Sequence, residues 1–434
     1  MRRLSILLLL SAAGCGGETA RAPEPAARPQ RAAQAPVVVS PEIAAAYAAR
    51  KHRPLWVGKS GLTKDGERLL ARLATAEIEG LDPARYGLAE VRAALAGAGT
   101  DQAKLARADL LLTRAYSAYL ADLDRPVRGM RYIDEGIAPE APDVAAALAG
   151  EVPGKAALQN PLYEALRTAA VQWRGTNPQA SARQLALVRA NLERARAIPA
   201  RGGRYIIVDT GSARLWMIDG ERIIGPMRTI VGKPGMQTPA ISGLIRHVTL
   251  NPYWNVPPDL ARTRAQRVLR EGTGFLTRER IEVLSDWSDR ATVMKLSAVN
   301  WRAAATGRIK LRMRQLPGGA NVMGDVKFMM PNELGIYLHD FPEKALFGQA
   351  DRQISSGCVR VEDAPKLAAW LFGGAAPKPR GNAPEQEVDL PEPVPVYLAY
   401  LTVLPAKGGG LVFGGDPYRR DEQALAALKR KPSV

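Results

Sequence analysis

Reactive side chains are scarce in this chain. Its 434 residues hold two cysteines, Cys15 and Cys358, and three histidines, His52, His247 and His339. There is no Cys-x-x-Cys and no His-Glu-x-x-His, so neither zinc pattern is available, and no metal or cofactor is expected. Gly-x-Ser-x-Gly and Ser-x-x-Lys are missing too, which removes the serine nucleophiles that those motifs position. No later stretch reaches about 18 uninterrupted apolar residues, the length that reads as a membrane span. Negative charge is in deficit: 60 Lys and Arg stand against 43 Asp and Glu, a net +17. That balance suits an anionic partner. The basic residues are spread without a basic run or an aromatic–basic motif, so nucleic acid is not expected.

What is present is globular material, 46% hydrophobic and 24% charged, and long enough for two or three domains. The start, "MRRLSILLLLSAAGC", has a basic region, a short apolar stretch Leu4–Leu10 and small residues before Cys15. This is the layout of a signal peptide, expected at 1–14. Small residues directly before a cysteine resemble the lipobox of bacterial lipoproteins, which implies a lipidated Cys15. Gly16 after it implies outer-membrane sorting. An ordinary secretory signal and a soluble periplasmic protein are the alternative. Either way Cys358 is left without an intramolecular partner, and a lone thiol in an exported protein marks a candidate reactive group.

The remainder divides by periodicity. Residues 15–40 are rich in Ala, Pro, Arg and Gly and read as a flexible tether. Residues 41–200 are helical in pattern, with Leu105, Leu112, Tyr116, Tyr119 and Leu123 near one face and a Ser181–Gln184 capping box. No catalytic constellation lies there, and the region reads as a scaffold. From 203 to 375 the pattern changes to β-rich runs broken by "DTGS" and "DG". Within it, 258–322 is charged, more helical and too long for a plain connection, so it reads as an inserted subdomain or lid. After 376 come a Pro-rich linker, one more strand ("VYLAYLTVL") and a tail to 434. The expected fold is α+β and multidomain: a helical scaffold domain, then a mainly-β catalytic domain with a capping insertion.

The window "IYLHDFPEKALFGQADRQISSGCVRV" (336–361) holds His339 and Cys358, 19 positions apart. A thiol attacks a carbonyl as thiolate and needs a partner that takes its proton; imidazole does this near neutral pH. His339 ends a strand, and a loop returns to set Cys358 beside it. The backbone around Ser356, Gly357 and Cys358 is the candidate oxyanion site, with Gly357 allowing close approach of substrate. His52 reads as a surface or packing residue and His247 as a strand-face residue. A buried structural cysteine is the competing explanation for Cys358.

His339, fifteen residues, then Ser355-Ser356-Gly357-Cys358-Val359-Arg360 resembles the signature of L,D-transpeptidases with the YkuD-type catalytic domain. Ser356 and Arg360 match the YcbB-like branch, as do "LNPYWNVPP" (250–258), "VNWR" (299–302), "KFMMPN" (327–332) and the run from Ile230 to Ser242. Only residues 174–200 separate scaffold from strands, too few for the peptidoglycan-binding module that many branch members carry. The resemblance implies that Cys358 attacks a peptidoglycan tetrapeptide stem, expels D-Ala and forms a thioester, with His339 as base. A diaminopimelate amine of a second stem then gives a 3→3 cross-link. It implies carbapenems as covalent inhibitors, and Tyr337, Trp254 and Arg360 as substrate-binding candidates. L,D-carboxypeptidase activity and D-amino-acid exchange use the same thioester. A catalytically dead wall-binding lipoprotein is the non-enzyme alternative.

Overall fold

The computed structural model describes residues 37–124, 129–140, 144–149, 159–199 and 202–429. The expected leader, Cys15 and most of the tether lie outside them. The described chain opens with α1 (Pro41–Ala49), α2 (Lys64–Ala74), α3 (Leu88–Ala96) and α4 (Gln102–Leu123). A short strand β1 (Arg131–Tyr132) precedes α5 (Val144–Ala149), α6 (Pro161–Thr176) and α7 (Ala182–Ala195). Ser40, Thr63, Asp101, Asn160 and Ser181 each accept a first-turn N–H, filling bonds that a helix start leaves open. The Ser181–Gln184 capping box forms as its sequence implies. Leu105, Leu112, Tyr116, Tyr119 and Leu123 are all buried on α4, so its tyrosines are core.

Four strands follow: β2 (Arg204–Asp209), β3 (Arg214–Asp219), β4 (Arg222–Gly232) and β5 (Ile241–Leu250). The Asp219-Gly220 turn joins β3 to β4 as an antiparallel hairpin. β6 (Trp254–Val256) then leads into the insertion, which supplies α8 (Pro258–Glu271), α9 (Gly274–Arg278), β7 (Ile281–Leu284), α10 (Trp301–Thr306) and β8 (Arg312–Gln315), so the folded subdomain begins a few residues before the expected 258. Its sequence pattern is helical and charged, yet it also builds a three-stranded sheet ordered β6-β8-β7. The run "RIKLRM" (308–313) reads as a strand and overlaps β8, whereas β6 and β7, of three and four residues, are too short to show alternation. Val256, Ala265, Phe275, Leu276, Val283 and Met313 form its own apolar core. At its neck, buried Asn321 donates to the carbonyls of Pro252 (2.9 Å) and Leu316 (3.0 Å), tying the two ends together.

The chain returns through β9 (Val326–Met329), β10 (Leu338–His339), β11 (Gln353–Ser355), β12 (Val359–Val361) and α11 (Ala364–Leu371). It finishes with β13 (Gln386–Ala399), β14 (Val403–Pro405), β15 (Leu411–Phe413) and α12 (Arg420–Lys429). The main sheet runs β1-β5-β13-β2-β3-β4-β12-β10-β9, and β9 also pairs with β5, so the strands from β5 round to β9 close on themselves. β13 is a central member, parallel to β2 and antiparallel to β5. It runs through Pro391, Pro393 and Pro395, so much of the stretch expected as a Pro-rich linker is strand, and the main sheet extends past residue 375. Residues from 39 onward form one compact unit. No helix among the described residues is long and apolar enough to cross a membrane.

Alternation along the strands decides which side chains face where. Ile206, Val208, Leu215, Phe328, Leu338, Val359 and Val396 point inward into one apolar core, with Leu367 and Leu371 of α11. On the outer face of β2 and β13, Tyr205, Ile207 and Tyr397 pack with Ile198 and Leu162 of the helical region. The residues between the inward ones on β9, β10 and β12 are Lys327, His339 and Arg360, opposite one another in register. The outer face there is therefore polar.

Candidate active site

Parallel pairing sets Leu338 opposite Val359 and His339 opposite Arg360. One step earlier, the Val359 N–H donates to the Tyr337 carbonyl at 3.1 Å. Tyr337 and His339 on one strand, and Cys358 and Arg360 on the other, thus share the outer face. The shared face follows from the register of the two adjacent strands.

His339 is 2% exposed, and its Nδ1 lies 2.5 Å from the carbonyl oxygen of Asp340. A carbonyl only accepts, so Nδ1 carries the proton and Nε2 is left as the basic nitrogen. Asp340 is itself fixed: its N–H donates to Val326 O at 2.9 Å, and its carboxylate accepts from Lys344 Nζ (2.6 Å) and the Asp325 N–H (3.1 Å). Gly324, at φ +59°, makes room for that carboxylate, since a Cβ there would stand 2.2 Å from it. Burial holds the His339 imidazole down to about 3, and the Arg360 guanidinium adds to the effect.

Cys358 is half-buried and free of any disulfide. Burial pushes its thiol up, while hydrogen bonding from Tyr337 and the charge of Arg360 work the other way. The pair is therefore neutral thiol and neutral imidazole at pH 7. The thiol donates to the Gly335 carbonyl at 3.5 Å, and no hydrogen bond joins it to His339 among the described residues. Such contacts commonly tighten only when substrate is bound. Gly357 sits at φ +122°, a region closed to residues with a Cβ. Ser356 is exposed, whereas the buried Ser355 shapes the loop, its Oγ donating to Cys358 O (2.7 Å) and accepting the Gly357 N–H (3.1 Å).

Arg360 stacks its guanidinium 4.1 Å from the Phe341 ring, and its buried Nε has no hydrogen-bond partner among the described residues. Burial pulls its pKa down, without removing the charge of a guanidinium. Tyr337 places its ring 5.9 Å from the His339 ring and its hydroxyl 3.5 Å from Met323 Sδ, packing against the core of the insertion. Trp254 lies within that same core, 8% exposed, with the Arg264 guanidinium 4.7 Å from its ring. Core packing accounts for it. His52 is an exposed turn residue at φ +58°, and His247 stands mid-strand on β5 opposite Asp389. Neither joins the Cys358 face.

Three residues at this site carry no role in the sequence reading: Asp340, Thr238 and Tyr418. Thr238 lies inside the quoted Ile230–Ser242 run, which was its only signal. Tyr418 comes from the tail and had none.

A lone thiol and an imidazole with a free Nε2, on one strand face beside a separately folded insertion, have the layout of a cysteine acyl-transfer site. The family comparisons agree with that class. Residues 203–381 match the L,D-transpeptidase catalytic domain (YkuD) and residues 41–169 match the Scaffold domain. The chain thus carries a YkuD-type L,D-transpeptidase catalytic domain together with a Scaffold domain. A Haemophilus influenzae protein, provisionally named an L,D-transpeptidase, is 26% identical over 410 residues, covering 88% of this chain and 78% of its own. Solved structures include an L,D-transpeptidase from Mycobacterium smegmatis (11% identity, TM-score 0.22) and one in complex with imipenem (12%, 0.21). Each match covers 46% of this chain, which spans 60% of the solved chain's length.

Proposed function

We propose that the protein cross-links peptidoglycan stem peptides through a thioester on Cys358. The observation that carries this reading is the fixed tautomer of His339: with Nδ1–H held by the Asp340 carbonyl, Nε2 is the nitrogen that receives a proton. Cys358 Sγ bonds to the carbonyl carbon of the donor's third residue as the C–N bond to D-Ala breaks. The thiol proton passes to His339 Nε2 and then to the departing amine. An acceptor side-chain amine attacks the thioester, the C–S bond breaks, and the amine proton returns to sulfur through His339. The net result is a 3→3 linkage and free D-Ala.

Arg360 is placed to receive a substrate carboxylate, and its unpartnered Nε supports that role. A bound carboxylate would offset the positive charge that helps hold His339 neutral, raising its basicity when it is needed. The insertion acts as a cap that limits water while the amine is held. Carbapenems acylate the same thiol. The site works in the periplasm, with Cys15 as the lipid anchor to the outer membrane. Incubation with purified sacculi, digestion and mass analysis of muropeptides tests the reading. Expected are 3→3 dimers with wild type and none with Cys358→Ala. Tripeptides without dimers in wild type would assign hydrolysis instead, and no change in either would reject the reading.

A further inference from the structure

The loop that presents Cys358 is an interrupted piece of sheet. β12 pairs antiparallel with β4, Arg360 opposite Ile230 and Val361 opposite Thr229. The Glu362 N–H donates to the Arg228 carbonyl at 3.2 Å, so hydrogen-bonded rungs fall at 362/228 and 360/230. By the same count the next rung joins Cys358 to Gly232. It does not form.

Three of its four backbone groups are taken by side chains. Thr238 Oγ1 accepts the Gly232 N–H at 2.9 Å, and the Tyr418 hydroxyl donates to the Gly232 carbonyl at 2.5 Å. Ser355 Oγ donates to the Cys358 carbonyl at 2.7 Å. The fourth, the Cys358 N–H, has no hydrogen-bond partner among the described residues. Thr238 Oγ1 also donates to the Gly357 carbonyl at 2.6 Å. In a trans peptide C=O and N–H point in opposite directions, so holding that carbonyl inward turns the Cys358 N–H outward.

We infer that Tyr418, with Thr238, is a positioning residue that keeps this rung open, so that the Cys358 N–H is available to a developing oxyanion. The inference rests on Cys358 as nucleophile. Tyr418 reaches the site from the C-terminal segment and is held there firmly. Its ring stacks on Tyr400 (5.3 Å between centroids, 14° between planes), and Arg420 lies over both rings at 4.9 and 5.0 Å. Arg194 of α7 covers the other ring at 5.1 Å and pairs with Asp421 at 2.6 Å. A tail residue anchored on the helical region thereby occupies the acceptor that the nucleophile's own N–H would otherwise take.

Tyr418→Phe keeps the stack and frees the Gly232 carbonyl. Thr238→Val frees the Gly357 carbonyl, and Thr238→Ser restores the hydroxyl. Two reactions of Cys358 separate positioning from general loosening. Acylation by imipenem joins sulfur to the lactam carbonyl, breaks its C–N bond and moves the thiol proton to nitrogen, passing through an oxyanion. Alkylation by iodoacetamide displaces iodide at a saturated carbon and needs no oxyanion donor. Expected is a loss of acylation rate of about tenfold to a hundredfold in Tyr418→Phe and Thr238→Val, below or near the cost of deleting an oxyanion donor. Alkylation should hold within about twofold, and Thr238→Ser should recover acylation. Acylation unchanged in Tyr418→Phe, or acylation and alkylation falling together, would overturn the inference. A wild type that is alkylated but not acylated at Cys358 would overturn the nucleophile assignment and this inference with it. Should Tyr418→Phe fail to fold by circular dichroism, the Thr238→Val and Thr238→Ser pair decides by the same criteria.

Discussion

Two buried polar clusters in this molecule are built on opposite principles. In the helical region, Glu79 is 2% exposed and receives the Tyr119 and Tyr163 hydroxyls at 2.8 and 2.6 Å. Arg167 stands 3.0 Å from its carboxylate, and Arg72 sits 3.7 Å away while also pairing with Glu164. Every charge has its counter-charge. At the site, by contrast, Arg360 makes no ion pair among the described residues, Glu343 acting on it only from a distance. The cations Arg360 and Lys327 help keep His339 neutral, and the Cys358 N–H has no acceptor among the described residues. Satisfied groups lock a fold in place, whereas unsatisfied ones persist where something else is meant to bind.

Glu79→Gln should produce the larger change in stability. It leaves Arg167 buried without its carboxylate and Arg72 with Glu164 alone, a loss of about 3–5 kcal/mol read from denaturant midpoints. Acylation by imipenem per folded molecule should be unchanged. Arg360→Gln should do the reverse. Stability is expected to hold or rise, because a partly buried cation without an anion is removed, while donor turnover falls about tenfold to a hundredfold, mostly in KM, with a charge-assisted bond lost. If Arg360→Gln lowers stability and leaves KM alone, the contrast between the two clusters fails.

The site cluster also responds to pH. His339 has a folded pKa of about 3 against 6.5 for an ordinary histidine. Its contribution to stability is complete above pH 6.5 and is lost as pH falls toward 3, because only the unfolded chain takes up the proton. His339→Gln should therefore flatten the acid side of the stability curve between those limits, measured by thermal melts at a series of pH values. An acid limb as steep as wild type would contradict the buried neutral imidazole. Smallest of all is the exposed pair Arg183–Glu422, which holds α7 to α12 at 2.6 Å. Arg183→Ala should leave the melting temperature unresolved from wild type, as surface pairs generally do.

The two clusters also differ in how far the sequence exposed them. His339 and Cys358 could be read directly, because both sit in one short window and strand alternation puts both on one face. Scaffold helices with capping residues, such as Ser181 with Gln184, were equally plain. The closure of β9 onto β5 was not, since pairing between strands some eighty residues apart leaves no local pattern. Tyr418 was invisible for the same reason: its partner Gly232 is 186 positions away. The small sheet of the insertion was half legible: "RIKLRM" (308–313) reads as a strand and overlaps β8, whereas β7 lies in the charged run "LTRERIEVLSDW", whose pattern reads as helical. Glu79 looks like any helix-end glutamate until Arg167, 88 positions on, closes over it. Short-range chemistry was legible, and long-range satisfaction of polar groups was not.

An acyl-enzyme at Cys358 is common to cross-linking, hydrolysis and exchange, and one measurement detects it without an acceptor. Wild type and Cys358→Ala are mixed with a tetrapeptide-stem donor ending in D-Ala, quenched in acid to preserve the thioester, and digested for peptide mass analysis. A tripeptide adduct on the fragment containing Cys358, matched by one equivalent of released D-Ala and absent from Cys358→Ala, is the expected result. D-Ala release that continues in Cys358→Ala, or an adduct on any other residue, would contradict it.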